Sequence, residues 1–301
     1  MSNRLILFLC CLFTLGARSQ SVNSASQLSA EDRAFLESVN KPVVLTLPGM
    51  DSVSVTKNIV YKKTLTAELK ADLYRPTQRK GHATPVVIFI HGGVGPEFPV
   101  RPKDWGVYQS WGRLIAASGL SALVFNHRAG FPHTRLAEAT EDLADVVGYV
   151  RSHAADWNVD GDRICLAAFS GGGPLLSYAM REHPPFIKCQ VGMYPIVDIG
   201  RIQFIREQMS ADELSRISPV EHVRNNSSAP PLLIARAGAD QIPDLLAGLD
   251  PFIALAISSD ADISVLNNPG APHAFDNKED TPRTREILKA VIAFLHAHLD
   301  Q

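Results

Sequence analysis

Residues 163–174 read Arg163-Ile164-Cys165-Leu166-Ala167-Ala168-Phe169-Ser170-Gly171-Gly172-Gly173-Pro174. An apolar run leads straight into a serine, and three glycines follow before a segment of helical composition, Gly172 to Glu182. Strands buried on both faces read as continuous apolar runs of this kind, and they belong to parallel sheets covered by helices. A serine on a sharp strand-to-helix turn is lifted off the end of the sheet, and only small flanking residues let that turn close. The helix that follows directs its unpaired N–H groups and positive dipole end at charge developing on the serine's target. Ser170 is therefore a candidate nucleophile, and Gly171 a candidate N–H donor. The pattern is Ala-x-Ser-x-Gly, with Ala168 where glycine is usual. Taken alone, it also fits a glycine-rich turn holding an incidental serine.

Working outward, similar apolar runs recur at Val86 to Ile90, Ala122 to Phe125, Ile187 to Val191 and Leu232 to Ala235. Helical segments separate them: Trp105 to Ala117, Glu141 to His153 with Leu143, Val146, Val147 and Val150 on one stripe, Asp244 to Ser258 and Arg283 to Leu299. On the N-terminal side, Val53 to Tyr61 is rich in β-branched residues. Leu65, Ala67, Leu69, Ala71 and Leu73 alternate with polar neighbours, the mark of a half-buried antiparallel strand. The expected class is α/β, with a mostly parallel central sheet, an antiparallel N-terminal edge and helices on both faces. Gly200 to Ser228 breaks the rhythm. It holds a helix over Ala211 to Ile217 and a polar turn at Asn225-Asn226-Ser227-Ser228, and an excursion of that length is expected to be a lid or binding insertion.

A nucleophilic serine needs a base and a group to orient it. His273 lies after the strand Ile263 to Leu266 and before the last helix, in a loop at a strand's C-terminal end, where an open α/β sheet places its site. Asp240 follows the preceding strand and would hold the imidazole in the right tautomer, with Asp244 as competitor. The order Ser170, Asp240, His273 is nucleophile, acid, base. Val86 to Ile90 runs into His91-Gly92-Gly93, so the N–H of Gly92 or Gly93, with that of Gly171, is expected to form an oxyanion hole. Trp105, Phe131 and Tyr194 are candidate pocket walls, or plain core. The pair His127-Arg128 either binds a substrate carboxylate or, the blander reading, ties neighbouring loops together.

These residues together resemble the α/β-hydrolase superfamily, in its esterase and dienelactone-hydrolase-like branch. The resemblance runs from about Thr56 to Leu299, on Ala71-Asp72-Leu73-Tyr74-Arg75-Pro76, His91-Gly92-Gly93, Phe169-Ser170-Gly171-Gly172, Gly238-Ala239-Asp240 and His273-Ala274-Phe275. It implies hydrolysis of carboxylic esters, a small-molecule ester as partner, and no metal or organic cofactor. Dienelactone hydrolases use a cysteine nucleophile where this chain has Ser170, so lactone hydrolysis does not carry over. Related peptidases of the prolyl oligopeptidase type carry a propeller domain for which 301 residues leave no room, which points away from a peptidase. The alternatives are such a peptidase activity, or a non-catalytic binding protein on the same fold.

The bulk composition agrees with one soluble α/β domain. The chain has 46% hydrophobic and 20% charged residues and a net charge of −2, with both signs interspersed, so it offers no surface suited to nucleic acid. Arg4, the apolar run Leu5 to Leu15 and Ala17-Arg18-Ser19 read as a signal peptide cut after Ser19, giving a secreted or periplasmic protein without stable membrane insertion. Residues 20–55 are expected to be a leader with a short helix capped by Ser29, and 56–301 the hydrolase domain. Cys165 and Cys189 remain after signal removal, either as buried free thiols or as a pair.

Overall fold

The structure, a computed structural model, describes residues 28–77, 82–94, 98, 100–130, 134–224 and 229–301. The signal segment 1–19, Phe131 and the polar turn 225–228 lie outside the described residues. The strands are β1 (Ser54–Lys63), β2 (Glu68–Arg75), β3 (Thr84–Ile90), β4 (Ser121–Phe125), β5 (Val159–Phe169), β6 (Ile187–Met193), β7 (Leu232–Ala237) and β8 (Ile263–Asn268). They form one sheet in the order β1-β2-β4-β3-β5-β6-β7-β8. β1 pairs antiparallel with β2, and β2 with β4, while every pair from β4 onward is parallel. β3 lies between β4 and β5, so the chain leaves it toward one side and returns on the other. That reversal opens a crevice at the carboxyl ends of β3 and β5.

The helices are α1 (Ala30–Asn40), α2 (Gly106–Ser118), α3 (Leu136–Ser152), α4 (Ala154–Trp157), α5 (Ser177–Glu182), α6 (Gln203–Arg206), α7 (Ala211–Ile217), α8 (Pro219–His222), α9 (Leu245–Ser258), α10 (Phe275–Lys278) and α11 (Pro282–Leu299). One core packs α3, α5 and α9 on one face of the sheet through Leu143, Val146, Val150, Met180 and Phe252. The other packs α2 and α11 on the opposite face through Trp111, Leu114, Ile287 and Val291. Burying each such aliphatic side chain contributes about 1.5–3 kcal/mol, which is why the apolar runs settle at the centre of the sheet.

Three local expectations shift. β2 begins at Glu68, and Leu65 is fully exposed in the β1–β2 turn, where the Thr64 hydroxyl accepts the N–H of Ala67 at 2.9 Å. The C-terminal half of β2 is buried on both faces, not one, because it lies between β1 and β4. After Ser170 the chain forms a 3-10 helix over Ser170–Leu176 and becomes α-helical only at Ser177. Three glycines and the N–H-lacking Pro174 favour no regular α-turn there. α1 starts as its sequence implies, with the Ser29 side chain accepting the N–H of Asp32.

Candidate active site

Ser170 caps β5 with φ +51°, in the left-handed region that side-chain-bearing residues seldom enter. The turn puts its Oγ 2.9 Å from Nε2 of His273, whose Nδ1 is 2.6 Å from Oδ2 of Asp240. A carboxylate only accepts, so Nδ1 carries the proton and Nε2 is left as an acceptor facing the serine hydroxyl. The Asp240 side chain has no exposed surface, while that of His273 keeps 18%. The other oxygen of Asp240 accepts the N–H of Ile242 at 2.9 Å. The loops after β7 and β8 are fastened to each other, the N–H of Ala239 donating to the carbonyl of Ala271 at 2.9 Å. Gly238 permits that approach, since a Cβ there would stand 2.4 Å from the Pro269 carbonyl oxygen. Asp244, the competing acid, is exposed at the start of α9 and makes no bond to His273.

Across the serine, Gly92 lies against the turn itself: a Cβ on it would be 2.6 Å from the Phe169 carbonyl oxygen and 2.9 Å from Cβ of Ser170. Its N–H, however, donates to the Tyr108 hydroxyl at 3.1 Å. Gly92 is thus removed from the expected oxyanion donors, because its proton is committed to a buried phenol. Gly93 and Gly171 remain. A Cβ on Gly171 would lie 3.8 Å from the nitrogen of Gly93, and neither N–H has a protein acceptor among the described residues. Gly93 holds φ +97° and supports the ring of Trp105.

The Gly92–Gly93 side of the serine rests on two buried histidines. The rings of His91 and His127 stack 3.7 Å apart and 8° from parallel, and Nε2 of His127 donates to the His91 carbonyl at 3.0 Å. Burial lowers the pKa of both: His91 well below the usual histidine value, helped by the charge His127 would carry, and His127 to about 4. Both are therefore neutral at pH 7. The loop beyond Gly93 is anchored by Lys103, itself buried, whose Nζ lies 3.1 Å from Asp72 and 2.6 Å from Asp104. Trp105 packs edge-on with Phe35 of α1 at 5.3 Å and stacks on Tyr108 at 6.0 Å.

Other expected residues take structural places. The Arg128 guanidinium is filled by Asp142 at 2.8–3.1 Å and by Glu141 at 3.2 Å, so it ties the β4–α3 loop to α3. Tyr194 is buried beneath His273, its ring edge-on to the imidazole at 4.6 Å. Trp105 is also buried, against Gly93. Cys165 and Cys189 face each other in the β5–β6 register as buried free thiols. Sequence reasoning missed Tyr108, Phe35 and Asp276. Their roles arise from contacts between distant segments, and only the acid three residues after His273 left a trace. Among the described residues no cluster of three or more His, Cys, Asp or Glu is placed to hold a metal ion, and no helix is long and apolar enough to cross a membrane.

The insertion after β6 carries α6, α7 and α8, with a capping box at Ser210 and Glu213 starting α7. A cavity of about 360 Å³ lies between it and the start of α3, lined by Thr134, Leu136, Gln208, Met209 and Glu213 among others. None of Ser170, Asp240 and His273 borders that cavity.

Two family models match the chain: BD-FAE over residues 71–184, and the prolyl oligopeptidase family over residues 133–301, more than half its length. No curated protein matches it in sequence. Among solved structures, the native thermophilic esterase Est2 of the planctomycete Thermogutta terrifontis is 22% identical, with a TM-score of 0.66 over 83% of this chain and 94% of that one. The propionate-bound form of that esterase is 23% identical, with a TM-score of 0.65 over 83% and 96%. Its form phosphorylated by paraoxon is 22% identical, with a TM-score of 0.65 over 84% and 97%. The shared architecture is the α/β-hydrolase fold.

Proposed function

The chain belongs to the prolyl oligopeptidase family, and from that premise we propose that it is a serine hydrolase cleaving carboxylic esters through an acyl-enzyme on Ser170. The observation that carries this reading is the unbroken chain of bonds from Ser170 through His273 to Asp240, set beside the N–H groups of Gly93 and Gly171. Nε2 of His273 takes the Ser170 proton as Oγ attacks the ester carbonyl. Asp240 stabilises the imidazolium without taking the proton itself. The Gly93 and Gly171 N–H groups receive the developing oxyanion, and His273 returns the proton to the departing alkoxide. Water, deprotonated by His273, then attacks the acyl-enzyme and releases the acid.

Ester over amide is favoured by the fold shared with Est2, an esterase that binds propionate and reacts with paraoxon. The family match favours a second reading, a peptidase, since the same triad attacks an amide when the leaving amine is protonated. Residues 200–228 would frame the substrate as a lid. The charged, apolar and small-residue zones of residues 1–19 support export.

Hydrolysis of p-nitrophenyl acetate, butyrate and octanoate, beside aminoacyl p-nitroanilides, tests both readings. The ester reading expects turnover of at least one ester by wild type, lost by at least about a thousand-fold in Ser170→Ala and His273→Ala. Turnover of the anilides alone would favour the peptidase. Ester turnover that survives both substitutions would refute the site.

A further inference from the structure

Behind His273 lies a carboxylate that the triad does not include. Asp276, on α10, is wholly buried. Its Oδ1 accepts the Tyr194 hydroxyl at 2.6 Å, and its Oδ2 accepts Nε1–H of Trp111 at 2.7 Å. The Tyr194 ring in turn meets the imidazole of His273 edge-on, with centroids 4.6 Å apart and planes 62° apart. We infer that Asp276 is a positioning residue of His273, fixing the imidazole through Tyr194 and adding a second buried negative charge beside it. The inference rests on the hydrolase reading above for its catalytic consequence.

The bonding pattern requires the ionised acid. Trp111 can only donate, and it occupies one oxygen. A protonated carboxyl would have to give its proton to the Tyr194 oxygen, leaving the phenol proton without an acceptor. As a carboxylate, Asp276 accepts both donors with nothing left over. Burial pushes its pKa up, and the bonds from Tyr194 and Trp111, with the charge on His273, oppose that rise. Burial likewise pushes the Tyr194 phenol up, reinforced by the charges of Asp276 and Asp240, so it stays protonated and able to donate.

The contact is also held under strain. Tyr194 has φ +39°, and Ala274, beside His273, has φ +60°, conformations that persist only where the surroundings over-determine them. Here the N–H of Tyr194 donates to the Ala235 carbonyl at 2.8 Å, and Asp276 joins β6, α2 and the N-terminal segment, its carbonyl accepting the N–H of Val44 at 2.8 Å. The groups facing this pair are few. Asp240 and Ser170 hold the two imidazole nitrogens. Tyr108 feels the charge of Asp276, and Lys278, backed by Lys41, lies in the fields of both acids, its own pKa lowered by burial.

When His273 accepts the Ser170 proton it becomes a cation facing two carboxylates, one bonded directly and one through the Tyr194 ring. Removing the second charge lowers the affinity of the imidazole for that proton. The test is an NMR titration of the protein with labelled histidine, the His273 signal being assigned by its loss in His273→Gln. Asp276→Asn keeps the shape and an acceptor for Tyr194 but removes the charge. The titration midpoint of His273 should fall relative to wild type. Tyr194→Phe removes the donor that opposes burial, so Asp276 takes up a proton and the midpoint falls in the same direction. An unmoved midpoint in folded Asp276→Asn contradicts the inference. If that variant does not fold, an unmoved midpoint in Tyr194→Phe does so. The titration needs no turnover, so its outcome stands apart from whether wild type cleaves esters. Where wild type does turn over, both variants should lower kcat about ten-fold and leave KM within about two-fold.

Discussion

His273 and the pair His91–His127 flank the same serine, yet they are built for opposite purposes. His273 keeps part of its side chain open to solvent and is bonded at both nitrogens, to Ser170 and to Asp240. His91 and His127 are closed off completely, stacked on each other beneath the oxyanion loop, and burial holds both neutral. A group that shuttles a proton needs neighbours that stabilise its charged form. A group that supports fixed N–H donors must never acquire charge, because a cation there would disrupt the strand ends that aim those donors. One residue type fills both roles because the surroundings, and not the imidazole, decide which form is stable.

The contrast is sharpest at the glycines of the oxyanion side. Gly93→Ala forces a side chain onto φ +97° and places its Cβ 2.9 Å from the Trp105 ring, so the loop must move. We expect a fall of about a hundred-fold in kcat/KM, the size of losing one oxyanion donor. Gly171→Ala meets nothing closer than 3.8 Å and is expected to retain most activity. Equal losses in both would mean that the loop is not held as described.

The neutral histidines make the oxyanion side sensitive to acid. In the unfolded chain His127 gains its proton near the ordinary value of 6.5, whereas the folded protein refuses it until about pH 4. Below 6.5 the unfolded state binds more protons than the folded one, so stability falls as pH drops through that window and levels off beneath it. Between pH 7 and pH 5 the loss from His127 alone is on the order of 2 kcal/mol. His127→Phe keeps a ring on His91 and removes this titration. Urea midpoints at the two pH values should lie closer together in the variant, with His91 keeping its own share of the acid sensitivity, although the variant starts less stable for want of the bond to the His91 carbonyl. An unchanged pH dependence would place the acid sensitivity elsewhere.

The smallest effect is expected at α1. Phe35 packs edge-on against Trp105, which itself supports Gly93, so Phe35→Ala loosens the loop from outside. A stability loss of about 1 kcal/mol, read from the melting temperature, should accompany a few-fold fall in kcat/KM. A fall as large as that of Gly93→Ala would give α1 a direct part in holding substrate.

Much of this was legible in the sequence because the fold announces itself through burial. The runs at 86–90, 122–125, 164–169 and 232–235 are apolar on both faces and fall within β3, β4, β5 and β7. Ser170 and Asp240 each follow a run of that kind, whereas His273 follows the largely exposed edge strand β8, and the fold brings the three within hydrogen-bond reach. Misreadings came where local chemistry overrode periodicity. Leu65 and Ala67 keep the alternation of β2 but sit in a turn made by the Thr64 side chain. Gly92 looked like an oxyanion donor because no pattern in the sequence reveals that Tyr108, sixteen residues on, takes its proton. Asp276 was invisible as a partner of Tyr194, since 82 residues separate them and only the folded sheet brings them together.

The most direct test of the central claim is to treat the protein with paraoxon and map the product by mass spectrometry. Attack by Ser170 Oγ on phosphorus expels p-nitrophenolate and leaves a diethylphosphoryl group on the serine. One adduct is expected, on the peptide containing Ser170, together with stoichiometric p-nitrophenolate release, and neither in Ser170→Ala. A folded wild type that takes up no label, or an adduct that persists in Ser170→Ala, would contradict it.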